Sequence, residues 1–119
     1  MSEDTAQQTA ATLAHHLEAI GESIDAILSD YTEESVIFTP DGPVRGLEQI
    51  REFFTAMLGN LPPGFMEAFA MVRQDVEGEL AYIVWTAGDL APIGTDTFVI
   101  RDGKIALQTF AAHVLAPEA

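Results

Sequence analysis

DYTEESVIFTPDGPVRGLEQIREFF, residues 30–54, is the stretch of sequence that decides the fold. It predicts that a helix ends near Tyr31 and that a short apolar strand follows at residues 36–38. The Pro-Asp-Gly sequence at residues 40–42 is typical of a turn that reverses the chain. Gly46 then precedes an amphipathic helix whose apolar face contains Leu47, Ile50, Phe53 and Phe54. We expect the rest of the chain to close a sheet over these elements.

Two helices are predicted before this stretch. Apolar residues and one histidine recur at helical spacing in the first part of the chain, at Leu13, His16, Leu17, Ile20 and Ile24. Gly21 interrupts the run, and Ser23 is a suitable N-cap for a second, short helix at residues 24–29. Both helices therefore present an apolar face to a common core.

Strand signals dominate the C-terminal half of the chain. A loosely alternating segment at residues 66–76 is followed by strong strand patterns at residues 80–87, 95–101 and 105–114. Turn signals separate them at residues 76–80, 88–94 and 102–103. Because helices come first and antiparallel strands last, we predict an α+β fold with helices packed in a strongly curved, mainly antiparallel mixed sheet. We expect one domain, residues 1–119, with short flexible tails at residues 1–5 and 116–119.

The composition excludes several classes of protein. The formal net charge is −14, from 5 Lys and Arg against 19 Asp and Glu, so we expect neither nucleic acid nor a membrane as a partner. The chain has no cysteine, which excludes disulfides and thiolate metal sites. The N-terminal residues lack the basic start and apolar run of a signal peptide, and no apolar run is long enough to span a bilayer. These features predict a cytoplasmic protein.

The order of the segments resembles that of a known family. The resemblance rests on GESIDAI (21–27), DYTEESVIFTP (30–40), DGPVRG (41–46), LEQIREFF (47–54) and IRDGKIALQTF (100–110). Together these segments resemble the NTF2-like superfamily, and within it the SnoaL-like and ketosteroid isomerase-like branch. The resemblance implies a cone in which a bent sheet encloses one deep, mostly apolar pocket. It also implies a homodimer that forms through the sheet.

The resemblance also assigns positions to functional residues. The general base of the steroid isomerases corresponds to Thr39, which cannot shuttle a proton, so that route of catalysis is not expected. Their protonated aspartic acid corresponds to Asp96. Their supporting tyrosines correspond to Tyr31 and to Phe54, so this hydrogen-bonded network is at best partial. Their oxyanion-hole tyrosine falls on His15 when the first helix is aligned without a gap.

The helical pattern and the alignment favour different histidines as the pocket residue. Adjacent residues of a helix lie about 100° apart, so His15 and His16 cannot both face the core fully. The apolar stripe favours His16 and the ungapped alignment favours His15. A histidine at either position could serve as a general acid or base near neutral pH. The alternative is a surface histidine with a hydrogen-bonded partner.

Strand alternation selects further candidates. Asp96 shares a face with Phe98, and a carboxylate on a buried face needs a partner or its pKa rises. The alternative for Asp96 is a half-solvated residue near the start of a strand. Gln108 shares a face with Phe110 and is expected either to contact a ligand or to lie at the pocket edge. The complete set of expected pocket-lining residues is Tyr31, Thr39, Phe54, Trp85, Phe98, Gln108 and Phe110.

Two functions remain open at this point. One is a cofactor-independent isomerase, cyclase or hydratase that acts on a small hydrophobic, polyketide- or steroid-like molecule through Asp96 and either His15 or His16. The other is a non-catalytic module that binds a ligand or dimerises. No spacing typical of a metal site is present, and we expect no cofactor.

Overall fold

The computed structural model describes residues 2–113, which form four helices and six strands. The helices are α1 (Ser2–Ile20), α2 (Ile24–Leu28), α3 (Gly46–Gly59) and α4 (Phe65–Ala68). The strands are β1 (Val36–Thr39), β2 (Gly42–Arg45), β3 (Ala70–Glu77), β4 (Leu80–Ala87), β5 (Ala91–Arg101) and β6 (Lys104–His113). The predicted α+β class is confirmed. Within the described residues, no helix is both long and apolar enough to cross a lipid bilayer.

The strands form a single sheet in the order β2-β1-β6-β5-β4-β3. Strand β1 runs parallel to β6, and the other neighbouring pairs are antiparallel. The sheet is therefore mixed but mainly antiparallel, as predicted. It is not closed, since β2 and β3 form its two edges.

One face of the sheet packs against the helices and forms the core. Strand β4 alternates strictly, so that Ala81, Ile83 and Trp85 are buried while their neighbours are more exposed. Leu13 of α1 and Ile50 of α3 are fully buried in the same core. Residues spaced three and four apart on the helices thus pack against residues spaced two apart on the strands. Together they form one apolar layer between the helices and the sheet.

A β-bulge between β5 and β6 positions the polar part of this face. The pairing changes register between Val99 and Ile100, which face Leu107 and Ile105. The extra residue in β6 breaks the two-residue alternation there. Consequently Ile105 and Gln108, three residues apart, are both buried on the helix-facing side.

Local differences from the prediction occur at three places. Helix α1 begins at Ser2 and so includes residues 2–5, which had been expected to form a tail, whereas residues 116–119 lie outside the described part of the chain. The loosely alternating segment contains α4 and then β3. Strand β5 starts at Ala91, inside the expected connection, and its Pro92 is exposed and lies beyond the residues paired with β6, where a missing N–H disrupts no ladder.

Candidate functional site

A cavity of about 140 Å³ lies between the helices and the inner face of the sheet. Its walls come from α1, α3, α4 and the strands β4, β5 and β6, and it is partly open to solvent. Most of the lining side chains are aromatic or aliphatic, including Phe53, Phe54, Met57, Phe65, Phe69, Ile83, Phe98 and Phe110. The polar side chains in the lining are His16, Asp96 and Gln108, together with the indole N–H of Trp85.

Asp96 is the carboxylate of this cavity. It lies in β5 opposite Ile83 of β4 and Phe110 of β6, and only 8% of its surface is exposed. The Trp85 Nε1–H donates a hydrogen bond of 2.9 Å to its Oδ1. The Gln108 Nε2–H donates a hydrogen bond of 2.8 Å to its Oδ2. Both side-chain oxygens are thus satisfied by donors.

This environment sets the protonation of Asp96. Burial raises its pKa from 3.8 to about 6, and the hydrogen bonds from Trp85 and Gln108 oppose that rise. An indole N–H cannot accept a hydrogen bond, and the Gln108 amide presents its donor side to Asp96. Asp96 is therefore mostly a carboxylate at neutral pH. This differs from the protonated aspartic acid that the isomerase resemblance implies at this position.

Tyr31 orients the Gln108 side chain that donates to Asp96. Its hydroxyl donates to Gln108 Oε1 over 2.5 Å, which leaves the Gln108 Nε2–H groups free to face Asp96. Tyr31 is 3% exposed, and burial together with the negative charges of Asp96 and Asp30 raises its pKa well above the usual value. The phenol is therefore neutral and acts as a hydrogen-bond donor in a chain from Tyr31 through Gln108 to Asp96.

His16 provides the second titratable group of the cavity wall. Its side chain is 2% exposed and makes edge-on contacts with the rings of Tyr31, Phe54 and Phe98. Burial, with a smaller effect from His15, lowers its pKa from 6.5 to about 4. His16 is therefore neutral at pH 7. Its Nδ1 is buried without a hydrogen-bond partner among the described residues.

His15 lies outside the cavity lining. Its side chain is 53% exposed, and its Nδ1 lies 2.8 and 2.9 Å from the two carboxylate oxygens of Asp30. The hydrogen bond and the charge of Asp30 raise the pKa of His15. The helical stripe thus identified the inward-facing histidine, whereas the ungapped alignment selected the outward-facing one.

The expected pocket residues separate into two groups. Those that line the cavity are His16, Phe54, Trp85, Asp96, Phe98, Gln108 and Phe110. Tyr31 and Thr39 are not in the lining. Tyr31 lies behind Gln108, and the Thr39 hydroxyl is held in the β1–β2 turn, where it donates to the Gly42 carbonyl and accepts from the Asp41 N–H. The general-base position of the isomerases is therefore occupied here by a turn-stabilising residue.

Sequence reasoning missed two parts of the site. Phe65, Met66 and Phe69, around α4, line the cavity, and the only sequence signal was a cluster of large apolar residues after the Pro-Pro-Gly breaker. Asp30 was treated only as part of a helix end, although it is 5% exposed and pairs with His15. The contact between Asp30 and His15 joins residues that are 15 positions apart, and such a contact leaves no periodic pattern in the sequence.

The described residues thus form an α+β fold with a mostly apolar cavity. The model of the SnoaL-like domain family matches residues 13–108. The chain therefore belongs to the SnoaL-like domain family. None of the curated proteins matches the chain.

Solved structures support the same fold at low sequence identity. An NTF2-like protein of unknown function from Mesorhizobium loti is 23% identical, with a TM-score of 0.72, 91% of this chain and 93% of that chain covered. A proposed polyketide cyclase from Sinorhizobium meliloti is 17% identical, with a TM-score of 0.69 and coverages of 85% and 94%. A proposed ketosteroid isomerase from Kribbella flavida is 15% identical, with a TM-score of 0.69 and coverages of 96% and 84%. At these identities the similarity establishes the fold alone.

Proposed function

We propose that the protein binds a small hydrophobic molecule in its cavity and acts on it as a cofactor-independent isomerase, cyclase or hydratase. The observation that carries the proposal is a buried carboxylate, Asp96, and a buried neutral imidazole, His16, in the lining of one mostly apolar cavity. Titratable groups with strongly shifted pKa values in a cleft are characteristic of catalytic sites. The solved structures described as a polyketide cyclase and a ketosteroid isomerase support chemistry of this class.

The two groups suit different roles: Asp96 transfers the proton and His16 positions the ligand. Asp96, with a pKa of about 6, is ionised at neutral pH yet close enough to that pH to be an effective general base. It would remove a proton from the carbon next to a ligand carbonyl, and the electron pair would move towards the carbonyl oxygen. Neutral His16 would accept a hydrogen bond from a hydroxyl group of the ligand and so hold the reacting carbon next to Asp96. Return of the proton from Asp96 to another carbon completes an isomerisation.

The cavity volume limits the ligand. An apolar protein cavity of about 150 Å³ holds a benzene molecule. The cavity of about 140 Å³ therefore fits a one-ring ligand, or a two-ring ligand that extends through its open side. This size favours a small polyketide-like molecule over a complete four-ring steroid.

The alternative function is a non-catalytic binding module. The observation that favours it is that both Asp96 oxygens already accept hydrogen bonds from Trp85 and Gln108. Such saturation is also the way a fold accommodates a buried carboxylate for purely structural reasons. In that case the cavity would hold a ligand without changing it.

Exchange of ligand protons separates the two functions. A panel of one- and two-ring ketones, including 1-tetralone, is incubated with the protein in D₂O, and NMR follows both binding and loss of the α-proton signal. We expect the wild type to bind and to accelerate exchange, and Asp96→Asn to bind but to lose about 100-fold or more of the exchange rate. Asp89→Asn, the same change at an exposed position, is the matched control. Binding without accelerated exchange would identify the binding module, and absence of both would contradict the proposal for ketones.

We also propose that the protein is a homodimer that associates through the outer face of its sheet. Large apolar side chains are exposed on this face, where Leu80 and Leu107 both pair with Val99 and Ile93 is 52% exposed. An exposed apolar patch on a sheet favours association. We expect light scattering to give twice the chain mass for the wild type and one chain mass for Leu107→Glu. A monomeric wild type at micromolar concentration would contradict the proposal.

A cytoplasmic location stays a prediction from composition.

A further inference from the structure

Asp30 is a buried carboxylate that the proposed chemistry does not yet use. It follows the C-terminal end of α2, is 5% exposed and is not part of the cavity lining. Burial raises its pKa, and the hydrogen bond and charge of His15 counteract this. A buried carboxylate is costly to maintain unless its oxygens are satisfied, so the groups around Asp30 decide what it does.

His15 satisfies only part of the hydrogen-bonding capacity of Asp30. Its single Nδ1–H lies 2.8 Å from Oδ1 and 2.9 Å from Oδ2, so one proton is shared between two oxygens. A carboxylate offers about four acceptor positions. Asp30 therefore retains capacity for a second donor.

The ring of His16 is a candidate for this second donor. Its Nδ1 is buried without a hydrogen-bond partner among residues 2–113, and it lies 3.9 Å from Asp30 Oδ2. That separation is beyond hydrogen-bond range, but a shift of about 1 Å would give an ordinary bond of about 2.9 Å. The rings in contact with His16 belong to Tyr31, Phe54 and Phe98, and the Tyr31 hydroxyl is engaged with Gln108. A carboxylate with spare acceptor capacity and a ring nitrogen without a partner therefore lie 3.9 Å apart.

The backbone holds Asp30 firmly in this place. The Ile105 N–H donates to the Asp30 carbonyl over 2.7 Å, and Lys104 Nζ donates to the Ser29 carbonyl over 2.6 Å. The end of α2 is thereby fixed to the start of β6. The next residue, Tyr31, donates a hydrogen bond to Gln108, which in turn donates to Asp96. Two consecutive residues, Asp30 and Tyr31, therefore lie close to His16 and to the hydrogen-bond partner of Asp96, respectively.

We propose that Asp30 is a positioning residue that holds His16 in the tautomer protonated at Nδ1, while His15 fixes Asp30 from the solvent side. This deepens the proposed function and rests on it for the contact between His16 and the ligand. A proton on Nδ1 leaves the lone pair on Nε2, the other ring nitrogen. A hydrogen bond at one ring nitrogen commonly determines which form the other takes.

The charged and titratable groups around this unit come from several elements. Glu18 of α1 and Glu22 of the α1–α2 connection act on His15, and Lys104 of β6 acts on Asp30. Tyr31 feels the charge of Asp30. Because these groups act mainly on the exposed side of the pair, they affect His15 more directly than the buried His16.

The test is a direct measurement of the histidine tautomers. Long-range ¹H–¹⁵N spectra of protein labelled at histidine are recorded at pH 7.5 for the wild type, Asp30→Asn, His15→Gln and Asp25→Asn. We expect His16 to show a protonated Nδ1 and an unprotonated Nε2 in the wild type. Asp30→Asn should shift His16 towards the Nε2–H tautomer, whereas His15→Gln should retain the wild-type form. Asp25→Asn, an exposed change in α2, the helix that precedes Asp30, should have no effect.

Each outcome decides the assignment. A wild-type His16 that is mainly protonated at Nε2 overturns it without any variant, which matters if Asp30→Asn fails to fold. An unchanged tautomer in a folded Asp30→Asn variant also overturns it. The tautomer measurement needs no ligand, so failure of the exchange assay alone would contradict the proposed function and leave the role of Asp30 intact.

Discussion

Replacing Asp96 by asparagine tests whether the cavity holds a buried negative charge. In the folded protein, burial raises the pKa of Asp96 from 3.8 to about 6. A shift of about 2 units corresponds to about 3 kcal/mol, at about 1.4 kcal/mol per unit. Because the folded pKa is the higher one, the folded protein binds this proton more tightly than the unfolded chain. The group therefore stabilises the fold fully below pH 3.8 and loses this contribution as the pH rises through about 6.

Asp96→Asn has no carboxyl group at this position to titrate. The difference in unfolding free energy between the wild type and this variant therefore reports the titration of Asp96 alone. Between pH 8 and pH 4 we expect the free energy of unfolding of the wild type to increase by about 2–3 kcal/mol relative to Asp96→Asn. The assay is urea denaturation at half-unit pH steps, followed by far-UV circular dichroism. The difference between the two proteins is plotted against pH, which cancels titrations that both share. Asp89→Asn reports the effect of the same substitution at an exposed position.

Two results would refute the reasoning. A difference that stays constant within about 0.5 kcal/mol from pH 8 to pH 4 would mean that Asp96 has the same proton affinity in both states. A difference of opposite sign would mean that the hydrogen bonds from Trp85 and Gln108 outweigh burial. In that case Asp96 would be a stabilised structural carboxylate and a poor general base at neutral pH.

Two further substitutions test the histidine and the tryptophan. The pKa of His16 is lowered from 6.5 to about 4, so its contribution is present above pH 6.5 and is lost as the pH falls through 4. Relative to His16→Gln, the wild type should thus lose about 3 kcal/mol between pH 7.5 and pH 3 in urea denaturation, and a flat difference would contradict burial of a neutral ring. A Cβ at Gly94 would lie 2.2 Å from the Trp85 indole, so Gly94→Ala should cost about 1–3 kcal/mol and alter the fluorescence of this single tryptophan. Gly59→Ala, whose Cβ meets nothing within 4 Å, is the control, and equal effects of the two alanines would refute the packing argument.

Much of the fold follows from local patterns. Strand β4 has the predicted limits because its alternation and its flanking glycines are both local signals. Helix α2 begins after the predicted cap, where Ser23 accepts a hydrogen bond from the Ala26 N–H. Edge strand β3 was less well predicted because nearly all of its residues are exposed, so burial imposes little pattern on its sequence.

In the candidate site, only the side chains whose burial follows from the helical or strand spacing of apolar residues could be predicted from the sequence. Strand parity correctly placed Asp96 and Gln108 on the buried face, and the helical stripe placed His16 there. The hydrogen bond from Trp85 to Asp96 and the contact between His15 and Asp30 were not predictable. Such contacts depend on the register between β4 and β5 and on the angle between α1 and α2. Neither can be read from a short segment of the sequence.

The central position of β6 has a consequence for how the chain reaches this structure. The β1–β2 hairpin joins the sheet only through β6, the last of the described strands. During synthesis, residues 36–45 are therefore made long before their partner, and β1 stays unpaired on this side until β6 has left the ribosome. Pairing across such a sequence separation is slow, on the order of milliseconds to seconds. Stopped-flow refolding monitored through Trp85 would test this, and folding that is already complete at the first observable time point would exclude it.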